Sequence, residues 1–126
     1  MIDSGCTEHI TPFITDFTTY TTLRCPESVR LTNQSTTCAI IGKGEVRGHT
    51  IVNGNQIETV LQDVLHVPGI RKRFISTWHL DQRGFSVTHC NSKVTIMHLA
   101  TDQICGIGEL KEDNEYYLPV TLSAPP

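Results

Sequence analysis

Short runs that alternate apolar and polar residues fill most of the chain, and each is ended within a few positions by a turn signal. Val29-Arg30-Leu31-Thr32 alternates as a half-buried strand does, and Asn33-Gln34-Ser35 breaks the pattern and can turn the chain. Strand character resumes over Ala39–Val46, where Gly42 and Gly44 suggest a bulge or the close approach of another backbone. Asn53-Gly54 lies between the strand-like stretches His49–Val52 and Asn55–Leu61 and predicts a type I′ hairpin, because both central residues of that turn need positive φ. Asp63–Val67 is a further strand, stopped by Pro68-Gly69. One helix is expected over Ser76–Gln82, with Ser76 as its cap, Gly84 as its terminator, and Phe74, Trp78 and Leu80 turned to the core. Phe85–Thr88 alternates again, Asn91-Ser92 turns, and Lys93–Leu99 and Ile104–Leu110 return as strands. After the charged turn Lys111–Glu115, Tyr116–Leu122 is the last strand, and Pro119 implies an edge position. The Thr-rich stretch Thr11–Thr22, with Pro12 near its start, reads as a loop or irregular segment.

Many short strands, tight turns and one helix indicate an all-β barrel or sandwich, whereas a parallel α/β architecture needs several longer helices. A length of 126 residues fits a single domain spanning 1–126, and 38% hydrophobic content allows a packed core. A net charge of −3 argues against a nucleic-acid partner, and the only basic cluster, Arg71-Lys72-Arg73, fits a solvated turn. Cys6, Cys25, Cys38, Cys90 and Cys105 are odd in number, widely spaced and without a CxxC pair. That usage points to a reducing compartment and to buried thiols, not to a disulfide framework. No apolar run is long enough to span a membrane, and the first residues lack the apolar stretch of a signal peptide.

Chemistry concentrates in Ile2-Asp3-Ser4-Gly5-Cys6-Thr7. An Asp-Ser-Gly triplet alone is a weak signal, since it also marks an ordinary turn. It is equally what aspartic proteolysis requires of a loop. That reaction uses two carboxylates roughly 3 Å apart, which share one proton because like charges so close cannot both ionise. Gly5 would let the backbone approach and donate an N–H to the Asp3 carboxylate, and the Ser4 hydroxyl can tie one loop to a second. The chain holds one such triplet, so it supplies one carboxylate and needs a second copy for the other. Asp16, Asp63, Asp81, Asp102 and Asp113 lack a following Ser/Thr-Gly and read as solvated or capping residues. His9 reads as a structural hydrogen-bonding residue. Cys6, His9, His89 and Cys90 have zinc-binding atoms but no finger spacing, so no metal is expected. Ser4 lacks the Gly-x-Ser-x-Gly elbow of a serine nucleophile.

The downstream pattern gives the triplet its context. Ile2-Asp3-Ser4-Gly5-Cys6-Thr7-Glu8-His9-Ile10 resembles the opening of copia-type retrotransposon aspartic proteases. Val29–Ser35, Ile41-Gly42-Lys43-Gly44-Glu45-Val46, Asp63-Val64-Leu65-His66-Val67-Pro68-Gly69, the block Phe74-Ile75-Ser76 with Leu80 and Gly84–Val87, and Tyr116-Tyr117-Leu118 resemble that family's later segments in order and spacing. The resemblance implies a retropepsin-like closed barrel with one short helix, active as a homodimer. It implies Asp3 as the catalytic carboxylate, Ser4 as the cross-dimer lock and Gly5 as the loop glycine. Leu31, Thr32, Asn33, Gln34 and Ser35 would form the flap over the substrate. Ile75 and Ser76 would brace the catalytic loop beside the substrate pocket. The substrate would be an extended segment of the element's own Gag-Pol-type polyprotein, cut inside a cytoplasmic virus-like particle without a cofactor. Ser76 stands where retroviral relatives carry Gly, and the strand those relatives place ahead of the catalytic loop is not seen before Ile2. A rival expectation keeps the fold as a silent, host-adopted dimerisation or binding module.

Overall fold

The Asn53-Gly54 turn organises the first of two sheets. In the computed structural model, which describes residues 1–30 and 37–123, Asn53 and Gly54 take φ values of 51° and 82°, as a type I′ turn requires. The turn joins β4 (Thr37–Val52) to β5 (Asn55–His66), which pair antiparallel from Val52↔Asn55 to Gly42↔His66. The sequence reading divides each of these strands in two. The structure carries both through: in β4, Arg47 and Gly48 pair regularly with Val60 and Thr59, and in β5 the break is a bulge, where the register shifts opposite Gly44–Val46 and Asp63 adopts a positive φ of 56°.

β2 (Ile10–Thr11) runs parallel to the end of β5, and β11 (Thr121–Leu122) pairs with Gly48 and His49 of β4. The fifth strand, β3 (Thr19–Arg30), corrects the expectation of an irregular Thr11–Thr22 in its last four residues, whereas Pro12–Thr18 hold no strand and only a short helical turn at Ile14–Asp16. Thr19–Thr22 pair with Gly42–Glu45, and the register slips before Glu27. Pro26 falls in that slip, where no ladder hydrogen bond is lost. The close approach expected at the glycines is present: a Cβ on Gly44 would run into the Thr19 carbonyl, and one on Gly42 into the Tyr20 ring.

The second sheet has the order β6-β1-β10-β9-β8-β7. Its strands are β1 (Ile2–Asp3), β6 (Ile75–Ser76), β7 (Phe85–Cys90), β8 (Lys93–His98), β9 (Gln103–Leu110) and β10 (Tyr116–Tyr117). Tyr116–Leu122 is therefore not one strand: the chain leaves this sheet after Tyr117 and enters the other at Thr121, with Pro119 between. Helix α1 (Thr77–Gln82) is capped by Ser76, whose side chain accepts from the His79 N–H, and ends at Gly84 with φ 87°. The whole is mostly strand with one short helix, consistent with an all-β barrel.

One buried cluster joins Ile2, Ile75, Leu80, Val94 and Ile96, and a second joins Cys6, Ile10, Ile40, Val67 and Ile70. Several expectations about burial are corrected. Trp78 is half exposed, because the helix turns His79 and Leu80 inward instead. Cys25 and Cys90 are exposed, Cys25 in the register slip of β3 and Cys90 at the end of the outer strand β7. Asp16 is buried, not solvated, and Arg73 is no free turn cation. The Arg73 guanidinium holds Asp16 with Nε–Oδ2 at 2.6 Å and Nη2–Oδ1 at 2.9 Å, and the Thr11 hydroxyl donates to Oδ2 at 2.6 Å. The Arg73 plane also lies 4.5 Å from the Phe13 ring centre. Among the described residues no helix is long and apolar enough to cross a membrane.

The two halves of this ion pair differ in burial, Arg73 being half exposed and Asp16 enclosed. Arg73→Met should therefore destabilise the fold by roughly 3 kcal/mol, since it strands a buried carboxylate. Asp16→Asn frees a guanidinium that can turn to water and should cost clearly less. Urea unfolding of both variants checks this, and equal losses would contradict it.

Candidate active site

Asp3 ends β1, which lies between β6 (Ile2↔Ile75 and Asp3↔Ser76, parallel) and β10 (Ile2↔Tyr116, antiparallel). Seven residues later the chain enters β2 in the other sheet, where Ile10 pairs with Leu65 and bridges to Phe74. The intervening loop is thus tied at each end to a different sheet. Burial of Ile2 in one core cluster and of Cys6 and Ile10 in another explains why the sequence folds this way here.

Within the loop, the Gly5 N–H donates to Asp3 Oδ1 at 2.7 Å, and the Cys6 thiol donates to Oδ2 at 3.3 Å. Both carboxylate oxygens are thereby aimed, while Asp3 stays partly open to solvent and Ser4 and Gly5 are exposed. Burial, followed by the hydrogen bond to Asp3, pushes the Cys6 thiol up to about 12, so it remains a neutral donor.

The brace behind the loop is Ser76, which is fully buried. Its hydroxyl donates to the Cys6 carbonyl at 2.6 Å and accepts from the His79 N–H at 3.0 Å. Its own N–H donates to His9 Nδ1 at 2.9 Å. His9 is 1% exposed and lies 4.3 Å, centre to centre, from the His79 ring. Burial, with His79 and Arg83 adding to it, pushes His9 from 6.5 down to about 3, and the acceptor role of Nδ1 fits that neutral ring. His79 Nε2 in turn faces Glu8 at 3.8 Å.

The structure therefore gathers Asp3, Gly5, Cys6, His9 and Ser76 into one hydrogen-bonded unit, with Ile75 in the core directly beneath it. Ser4 makes no hydrogen bond within this unit and faces outward. Leu31, Thr32, Asn33, Gln34 and Ser35, the segment assigned to a flap, lie outside the described residues. One participant was missed by sequence reasoning. Cys6 adjoins the triplet, but no spacing rule marks a thiol as a carboxylate donor. Among the described residues no group of three His, Cys, Asp or Glu side chains could hold a metal ion. A cleft of about 430 Å³ is lined by Ile10, Phe74 and Leu118, among others, and Asp3 does not line it.

The arrangement presents one oriented carboxylate at the surface on a rigid loop. Comparison with known families gives a match to the Pol polyprotein, beta-barrel domain, over residues 1–85. No curated protein and no solved structure matches the chain.

The neutral His9 has a consequence for stability. The unfolded chain binds a proton on this imidazole below about 6.5, whereas the folded chain does not until about 3. Its contribution is fully present above the higher value and is lost as pH falls through that window. Urea midpoints should drop between about pH 7 and 4, and His9→Gln, which keeps an acceptor for the Ser76 N–H, should flatten that drop. Identical pH slopes for the two proteins would assign the effect elsewhere.

Proposed function

The chain belongs to the Pol polyprotein β-barrel domain family, and from that premise we propose that it is the aspartic endopeptidase of a copia-type retroelement, active as a homodimer. The observation that carries this reading is the Asp3 carboxylate, oriented on both oxygens by Gly5 and Cys6 in a loop that Ser76 fastens from behind. The Pol family places the chain in a retroelement polyprotein, for which a peptidase that cuts the precursor is an expected component.

On this reading two copies bring their Asp3 side chains together about a twofold axis. The pair shares one proton, and its titration belongs to both residues. The ionised carboxylate draws a proton from a water, which attacks the scissile carbonyl. The protonated one hydrogen-bonds the carbonyl oxygen and then supplies the proton for the leaving amine. Ser4, exposed at the loop tip, bonds across to the facing loop. The substrate is an extended peptide of the element's own polyprotein, processed in a cytoplasmic particle, and neither metal nor cofactor takes part.

Wild-type and Asp3→Asn proteins should be incubated with a Gag-Pol-type precursor or a peptide library at mildly acidic pH. The wild type should cleave, a pepstatin-type inhibitor should block it, and the variant should be slower by about 10³-fold or more. Equal product from both would remove Asp3 from the mechanism and leave a binding module as the reading.

A further inference from the structure

The cleft of about 430 Å³ lies apart from Asp3, and its lining sorts by depth. Ile10, Val46, Val64 and Ile75 are buried in it and come from strands of both sheets, so its interior is aliphatic and lies between the sheets. Its exposed lining residues are Phe13, Arg71, Lys72 and Arg73. A chain of net charge −3 therefore places three successive cations at one mouth. The deep polar lining is already satisfied. Asp16, the one carboxylate in the lining among the described residues, is held by Arg73 and Thr11, and His9 Nδ1 accepts from the Ser76 N–H. At the mouth, Lys72 Nζ reaches Asp113 Oδ2 at 3.3 Å and the Tyr117 hydroxyl at 3.0 Å. The Arg71 side chain is exposed and forms no ion pair among the described residues.

We infer that this cleft binds a free, single-chain amphiphilic carboxylate of the fatty-acid class, with its tail between the sheets and its head on Arg71. Small-ligand sites have this size and build, apolar with a few polar groups, and recur in the mouths of β-barrels. A hydrocarbon tail brings no polar group that an aliphatic interior would leave unsatisfied. The carboxylate meets a guanidinium whose forked donors match its two oxygens. An extended peptide suits the wall less well. Such a peptide needs free backbone groups, and Ile10 and Phe74 in the wall already bond each other's backbones at 3.0 and 2.8 Å. Asp3 takes no part in this binding.

Binding should be followed by displacement of the fluorescent probe anilinonaphthalene sulfonate, with laurate as competitor below its micelle concentration. Laurate should displace the probe saturably. Dodecanol, which has the same tail without the charge, should compete on the order of tenfold more weakly. Arg71→Glu changes an exposed side chain and should weaken laurate on the order of tenfold while leaving dodecanol unchanged. Val120→Trp, which puts an indole into the cleft, should abolish binding of both in a protein whose circular dichroism is intact. Asp3→Asn should bind laurate as the wild type does, so loss of cleavage and loss of binding are read separately. Equal competition by laurate and dodecanol, an unchanged laurate affinity in Arg71→Glu, or the absence of saturable displacement overturns the proposal. Preferential binding to phosphatidylglycerol vesicles over free laurate overturns it as well, because it assigns the basic mouth to a lipid surface.

Discussion

Ser76 is the point on which the rest of the site depends. Its hydroxyl satisfies two backbone groups at once, the Cys6 carbonyl in the Asp3 loop and the His79 N–H at the start of α1. Its N–H satisfies the buried His9 ring. Helix, loop and strand β6 therefore meet at one fully buried side chain. A buried hydroxyl with both partners in place fixes its surroundings, whereas loss of either partner leaves a desolvated polar group costing about 1–3 kcal/mol. Glycine at this position could neither cap the helix through a side chain nor bond the loop. A serine here thus couples the geometry of the Asp3 loop to the helix.

A second anchor lies on the far side of the same loop. β2 continues from His9 into Ile10 and Thr11, and the Thr11 hydroxyl reaches Asp16, which is clamped by Arg73 just ahead of β6. Arg73 and Ser76 are close in sequence, so the segment 73–76 grips the loop from both ends. The Phe74 and Ile10 backbones exchange two hydrogen bonds, 3.0 and 2.8 Å long, between those anchors. The rigidity of the Asp3 loop is therefore a tertiary property of two short segments, 1–11 and 73–76, and not of the turn alone.

This explains what the sequence could and could not reveal. Local chemistry was legible: Asn53-Gly54 demanded its turn, Ser76 and Gly84 bounded the helix, and Gly42 and Gly44 marked a close backbone approach. The Asp-Ser-Gly triplet and a structural hydrogen bond at His9 were likewise visible as residue types. Pairings over long separations were not. Thr19–Thr22 carry no alternation, and become strand because the β4 glycines let them lie close. Asp16 looked solvated because its partner is 57 positions away. Trp78 looked like core because helical periodicity does not say which of two adjacent residues, Trp78 or His79, is turned inward.

The buried imidazole also sets the conditions under which such a loop can work. A shared-proton carboxylate pair is used at mildly acidic pH, where an ordinary histidine is charged. A charged His9 could not accept the Ser76 N–H and would be repelled by its neighbours. Burial against His79 keeps the ring neutral down to about pH 3, so the brace persists where the reading needs it. The cost appears in global stability, which declines across the same range while the native loop geometry holds. Acid thus lowers stability without altering the loop of the folded chain. A fold built this way keeps its loop in place under conditions that bring it nearer to unfolding.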